Sequence, residues 1–410
     1  MRKAWLLCCV VTVSTVAHAE PLSFSDAVAR ASADGPTVTA RRAALTAAEH
    51  SIRPAGQLPD PQLVLGLRDV PIDGPDAYRL DRDDFTMQMV GIAQDVPSGF
   101  ERRARRSIAQ AEAERAGADV EIARLQARLG AANAWIDLYF SNKRIAVLDR
   151  MAEEQRTLAV AARERLASGA GDVDSAVTAE IELARLADRR VDLGARVIAA
   201  RAELRRWLGD DADDPLAADA PEFLIDANHV REHMRRHPEL AAFQADEAIA
   251  EANLRLARAE RAPDWSWSLM YQRRAPQFSD LASVEVRIGL PLFQGSRQGP
   301  LIDARRADAV RVDAERDAAV REHSAILERQ LAEYESASAN LIRARGTRLP
   351  LAQRRAVAAV GAFAGGATSS DQLILARREA LEAELDVLDL QERRAALGAA
   401  LTLQYGEMQP

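Results

Sequence analysis

The placement of proline does most to restrict what this chain can become. None occurs from Ser98 to Asp214, and Pro350 stands alone between Leu301 and Gln409. A proline in a helix interior costs about 3 kcal/mol, so these two tracts are where long helices can run. Their content of alanine, arginine, glutamate and leucine favours the same outcome. In "IARLQARLGAANAWIDLYF", Ile122, Leu125, Leu129, Ala132, Ile136 and Tyr139 recur at spacings of three and four, a coiled-coil-like stripe.

Each tract has one interior break. In the first, "ERLASGAGDVDSAVTAE", Gly169 and Gly171 are followed by Asp172 and Asp174. In the second, "VGAFAGGATSSDQLILARRE", Gly365 and Gly366 are followed by Ser369, Ser370 and Asp371. A glycine stop followed by a polar helix cap reads as a turn between two helices, so each tract is a helical hairpin. From Gly99 to Gly169 an arm of about 70 residues at 1.5 Å per residue would be roughly 100 Å long. That length points to a rod or a tube.

The two halves repeat one plan. "GPTVTARRAALTAAEHSIRPAGQLPDPQLVLGLR" and "HPELAAFQADEAIAEANLRLARAERAPDWSWSLMYQ" both run from proline through an alanine-rich helix into an alternating strand. A second strand, a proline, a glycine and a long helix follow in each, in "FTMQMVGIAQDVPSGFERRARR" and "VEVRIGLPLFQGSRQGPLIDARR". Offsets of about 200 residues hold throughout, the mark of an internal duplication. The expected organisation is an export signal at 1–19, a first repeat at 20–209, an equatorial linker at 210–234 and a second repeat at 235–410. The hairpins are expected at 99–209 and 301–406.

Four strands are expected, at 61–70, 84–96, 264–273 and 283–292. Each is long enough for a strand crossing an outer membrane, which takes about 9–11 residues. Each also alternates. Leu63, Leu65 and Leu67 oppose Gln62, Val64 and Arg68; Phe85, Met87 and Met89 oppose Thr86 and Gln88. Trp265, Trp267, Leu269 and Tyr271 oppose Ser266, Ser268 and Gln272; Val284, Val286, Ile288 and Leu290 oppose Glu285 and Arg287. One apolar and one polar face suits a barrel with lipid outside and water inside; a small soluble sheet packed on a helix is the alternative. Four strands cannot close a barrel, and an open edge is not tolerated in lipid, so a barrel requires several copies. Three copies would supply twelve strands, an even number within the bacterial range.

The segment "MRKAWLLCCVVTVSTVAHAE" has the basic start, apolar run and A-x-A site of an export signal. Cleavage after Ala19 would remove Cys8 and Cys9, the only cysteines, and with them any disulfide or thiolate metal site. No later apolar run reaches the length of a membrane helix. The chain has 62 acidic and 54 basic side chains and no basic patch of the kind that nucleic acid requires. No Ser/His/Asp, Cys/His or phosphate-loop arrangement points to an enzyme, and no cofactor site is apparent.

The duplication, the strand pairs, the junction "VPSGFERRARRSIAQAEAE" and the restart "GGATSSDQLILAR" together resemble the TolC-type outer-membrane factor family, the exit ducts of tripartite efflux and type I secretion systems. "LPDPQLVLGL" with "FTMQMVGIAQDVPSGFERR" is most similar to its heavy-metal branch. The resemblance implies a homotrimer, mainly α-helical, with a twelve-stranded β-barrel in outer-membrane lipid and a periplasmic helical tunnel. It also implies a periplasmic adaptor and an RND-type inner-membrane pump as partners, and no chemistry in the duct itself. Export of heavy-metal cations is the leading expectation. Organic drug efflux, type I protein secretion, or a pore-less periplasmic adaptor or scaffold are the alternatives.

On the same resemblance, the hairpin tips contact the adaptor. The residues concerned are Arg165, Leu166, Ser168, Gly169 and Asp172 in the first tip, and Gly365, Gly366, Ser369 and Asp371 in the second. Asp174 and Asp371 are candidates for the entrance constriction, where rings of carboxylates favour cations; simple helix capping by Asp172 and Asp371 is the other reading. The lipid-facing set is Leu63, Leu65, Leu67, Phe85, Met87, Met89, Trp265, Trp267, Tyr271, Val284, Val286 and Ile288. His229 and His233 are weak metal candidates because a spacing of four puts them on one helix face. His237 continues the spacing, but Pro238 is expected to begin a new helix with His237 outside it. Arg102–Arg106 is either a solvated helix start or an anchor beside anionic head groups.

Overall fold

The computed structural model describes residues 21–169 and 171–406; the expected export signal, with Cys8 and Cys9, lies outside them. Ser23 caps α1 (Phe24–Asp34), its hydroxyl accepting from the Asp26 amide at 3.1 Å, and Pro36 opens α2 (Pro36–Ala55). Strands β1 (Gln62–Arg68) and β2 (Met87–Val96) follow. Helix α3 then runs unbroken for 69 residues, Gly99–Ala167, and α4 (Val173–Leu208) returns from it. The linker expected at 210–234 begins as a short 3-10 turn, Gly209–Asp213, and ends in α5 (Ala227–His233). Next come α6 (Pro238–Ala259), β3 (Trp265–Arg273), β4 (Leu281–Ile288) and α7 (Gln298–Arg343). A π-helical turn, Ala344–Arg348, leads into α8 (Leu349–Ala364), and α9 (Ser370–Tyr405) completes the second hairpin. Pro350 explains the π turn. It has no amide to give the Gly346 carbonyl, and the wider turn takes up the displaced hydrogen-bond register.

The chain divides into two compact units, one of residues up to Gly35 with Ala127–Ile225 and Ala332–Ala400, the other of Pro36–Gln126, Asp226–Leu331 and the residues from Leu401. Each unit draws on both halves of the chain, so the division cuts across the long helices rather than between the expected repeats.

In the first unit the core is aromatic. Trp135 is fully buried, stacks on Tyr139 at 5.1 Å and meets Phe24 edge-on at 5.8 Å. Its indole donates to the Leu22 carbonyl at 3.0 Å. The Tyr139 hydroxyl donates to the Ala218 carbonyl at 2.8 Å, and Tyr334 to that of Phe223 at 2.6 Å. Three aromatic donors thus satisfy backbone acceptors of segments that run beside the helices, as buried carbonyls require. Leu22 also forms an isolated parallel bridge with Leu216. Arg144, almost wholly buried, joins α3 to α9 through Asp389, at 2.8 Å from its Nε, and through Glu392.

The second unit holds the sheet, antiparallel in the order β1-β2-β3-β4. The amide of Ser98, at the start of α3, donates to Asp264 Oδ1 at 2.8 Å and so fixes that helix against the entry to β3. The strands fall short of the expected ranges by two or more residues at Arg68, Met87 and Ile288, and by one at Gln62 and Trp265, while β4 begins two residues early, at Leu281. Phe85 lies in a bend ahead of β2, since the β1–β2 ladder begins at the pair Arg68–Met87. The register also corrects the expected face of β2. Leu63 pairs with Ile92 and Leu65 with Val90, and these in turn pair with Leu269 and Tyr271 of β3. Met87 and Met89 pair with Arg68 and Gly66 and stand on the opposite, polar face, so they do not belong with the leucines. The reason is steric. Met89 lies over Gly66, whose added Cβ would come within 3.3 Å of its Cε, and Gly91 leaves room for Met270, whose Sδ would meet a Cβ at 2.3 Å. Methionine fits these gaps above glycine, while branched Val90 and Ile92 take the open side.

Candidate functional site

The apolar face of the sheet is bare. Leu65 is 69% exposed and Val284 72%, and Leu63, Ile92, Leu269, Tyr271 and Ile288 are exposed with them. Trp265 pairs with Ile288 and Trp267 with Val286, so both indoles share that face. The opposite face is the more covered: Gln272 is buried, and its amide donates to Ser283 Oγ at 2.9 Å. β1 and β4 are the edges of the sheet. A contiguous apolar surface of this extent marks a contact with lipid or protein. Among the described residues no helix is long and apolar enough to cross a membrane.

Below the sheet, Phe100, Arg103, Ala104 and Ser107 of α3 face Arg255 and Arg258 of α6 across a cavity of about 470 Å³. Arg103 sits 4.7 Å above the Phe100 ring, and Arg255 donates to Ser107 Oγ at 3.0 Å. Of the arginine run at 102–106, Arg103 lines this cavity.

In the first unit the structure brings the two hairpin tips together. Ser175 and Ser370 share a hydrogen bond of 2.6 Å between their hydroxyls, and Arg165 lies 5.4 Å over the Phe363 ring. Behind them Glu182, mostly buried, holds Arg378 through two hydrogen bonds, that from Nε being 3.1 Å. Asp172 caps α4, accepting from the Ser175 amide at 2.7 Å and from the Ser175 hydroxyl at 2.7 Å, and these bonds hold its carboxyl below the usual range. At the second tip Ser369 takes the capping role, through a longer bond of 3.4 Å from the Gln372 amide, and Asp371 lies inside the first turn. Arg165, Ser168, Asp174, Gly365 and Asp371 are exposed, and Leu166 is half-buried. Gly169 and Gly366 each have a φ of 73°, a conformation that a side chain makes unfavourable by about 1–2 kcal/mol. Gly169→Val and Gly366→Val are therefore expected to cost about 1–2 kcal/mol each, read as faster proteolytic nicking at the substituted tip than in the unaltered protein.

The histidines separate. His229 and His233 remain on α5 with rings 4.1 Å apart, and His233 Nδ1 lies 2.8 Å from the His229 carbonyl oxygen. His237 is outside that helix, as Pro238 requires, and caps α6: its Nδ1 accepts from the Glu239 amide at 3.3 Å. Its ring turns toward His323 of α7, 4.4 Å away, and Tyr405 of α9, 5.6 Å away. His323 Nε2 is 3.1 Å from Glu239 Oε2. Burial, and then the neighbouring His323, push the His237 imidazole down to about 4, with Glu239 pulling the other way, so the ring is neutral at pH 7. Nothing in the sequence around His237 announces His323, which lies on another helix. The "HPE" step of "RRHPEL" was the one local sign that an imidazole and a carboxylate would meet.

No protein-family model matches the chain. Protein CyaE of Bordetella pertussis is 31% identical over 202 residues, 45% of this chain and 42% of that protein, so the match spans less than half the length of that relative. Solved structures are similar over far more of the chain. The outer membrane protein VceC of Vibrio cholerae is 18% identical with a TM-score of 0.77, over 93% of this chain and 96% of its own. The open-state MtrE outer membrane channel of Neisseria gonorrhoeae is 14% identical with a TM-score of 0.78, over 93% and 88%. The CmeC outer membrane channel of Campylobacter jejuni is 12% identical with a TM-score of 0.76, over 93% and 85%. The chain has the fold of these outer-membrane channels: long helical hairpins and a four-stranded antiparallel sheet.

Proposed function

We propose that this protein is the outer-membrane exit duct of a tripartite efflux system, a homotrimer whose pooled strands form a twelve-stranded barrel. The observation that carries the reading is the sheet, with one face exposed and apolar and two edges available for pairing. In hydrocarbon such edges must be closed by neighbouring strands, and identical copies close them symmetrically. The polar face, with Ser266, Ser268, Glu285 and Arg287, then lines water. Trp265 and Trp267 at one end of β3 suit the interfacial level where aromatic side chains settle. The arginine-lined cavity at the foot of the sheet suits anionic head groups. The duct has no chemistry of its own; an RND-type inner-membrane pump supplies the energy, and a periplasmic adaptor joins the two.

The paired tips, with Arg165, Leu166, Ser168, Gly169, Asp172, Gly365, Gly366, Ser369 and Asp371, are the adaptor contact in this reading, and Asp174 and Asp371 stand at the entrance. Asp174→Asn with Asp371→Asn is expected to lower the cation preference of the pore, measured as a shift of the reversal potential toward zero in a salt gradient. The cargo is taken to be heavy-metal cations, on the motifs around the first strand pair. Fractionation and bilayer recording test the duct itself. Recovery in outer membranes, a cross-linked trimer and discrete conductance support it; a soluble periplasmic protein without conductance means a pore-less scaffold instead. A deletion strain grown on divalent metals and on dyes tests the cargo, and lost dye tolerance with unchanged metal tolerance would reverse that choice.

A further inference from the structure

Outside the sheet and the tips, one cluster has the composition of a ligand set. The geometry points to His237, Glu239 and His323 as a binding site for a divalent transition-metal ion of the zinc class, resident in the protein and distinct from any cargo. Two imidazoles and one carboxylate are a donor set that zinc takes readily, with a water in the fourth position, and imidazole favours zinc, copper and nickel over magnesium or calcium. Among the described residues this is the group of three in which one donor atom from each lies within 4.8 Å of the others. A tetrahedral ion with bonds of about 2.0–2.1 Å spaces its donors by roughly 3.4 Å. Glu239 Oε2 and His323 Nε2, at 3.1 Å, already stand near that separation, and His237, within 4.8 Å of both, has to approach by no more than roughly 1.4 Å.

The donors come from separate elements of one unit. His237 and Glu239 open α6, His323 lies within α7, and Tyr405 near the end of α9 packs on the His237 ring. An ion here would clip α6 to α7 in the folded state alone, and its binding would therefore add to stability. The opposing cost is small. Coordination by His237 displaces its long cap bond of 3.3 Å to the Glu239 amide, either by using Nδ1 itself or by placing the ring proton there. His229 and His233, adjacent on α5, belong to no such group of three among the described residues and serve as the internal control.

The test uses the full-length protein in detergent, stripped with EDTA and titrated with ZnCl2, followed by Co²⁺ absorption and thermal unfolding. One ion per chain, an intense tetrahedral Co²⁺ band and a raised unfolding temperature are expected. His323→Gln and Glu239→Gln are each expected to weaken Zn²⁺ binding at least tenfold and remove the band, at unchanged circular dichroism. His229→Gln with His233→Gln should bind as the unaltered protein does. Binding by the unaltered protein no tighter than by His323→Gln, or loss confined to the His229 and His233 variant, overturns the site. None of these readouts involves transport, so the site and the duct can fail separately.

Discussion

Leu269→Arg is expected to reduce the protein recovered in outer membranes by more than tenfold, and Ser268→Arg to leave it close to the unaltered level. The two residues are neighbours at the middle of β3, on opposite faces. An arginine facing lipid near the bilayer midplane costs roughly 2–4 kcal/mol, while lumen positions tolerate it. A trimer would bear that cost three times. β2 supplies the sharper pair, since its register reverses the expectation drawn from alternation: Val90→Arg should impair assembly and Met89→Arg should not. The measurement is the amount of heat-resistant trimer in purified outer membranes. Equal loss from both members of either pair would mean that the sheet has no lipid side.

Trp135→Ala is expected to cost about 3–5 kcal/mol, the range for removing a large buried aromatic. The indole fills space between Phe24 and Tyr139 and gives its N–H to the Leu22 carbonyl. Its loss leaves both a cavity and an unpaired acceptor. The denaturant midpoint should fall accordingly, and the segment through α1 should become the first site of proteolysis. Trp135→Phe, which restores most of the packing but not the hydrogen bond, should recover more than half of the loss. A midpoint unchanged in the alanine variant would remove Trp135 from the core.

Proline and glycine made the helical part legible. The chain turns at Gly169 and again at Gly365–Gly366, and α3 starts directly after Pro97–Ser98, where the Ser98 hydroxyl accepts from the Glu101 amide at 3.1 Å. The faces of β1, β3 and β4 followed from alternation because each has apolar side chains at one parity over most of its length. β2 does not: Met87 and Met89 occupy one parity, Val90 and Ile92 the other, and alternation cannot choose between them. Glycine decides it, through the space that Gly66 and Gly91 leave for Met89 and Met270, a relation between strands. The same holds for the bond between Ser175 and Ser370, 195 residues apart, and for His323 beside Glu239. Spacing along a helix suggested His229 with His233, whereas the group of three arises where two helices meet.

The two free edges of the sheet bear on how such a duct is made. Alone, one chain presents β1 and β4 with a row of amides and carbonyls that water must satisfy, and hydrocarbon holds no water. In the proposed duct a single chain would then have no stable state part-way into the bilayer, and insertion would coincide with meeting its copies. In kinetic terms the process is of higher order than one. At low synthesis rates the inserted amount should rise more steeply than in proportion to the amount exported, and exported chains awaiting partners should be the population that periplasmic proteases remove.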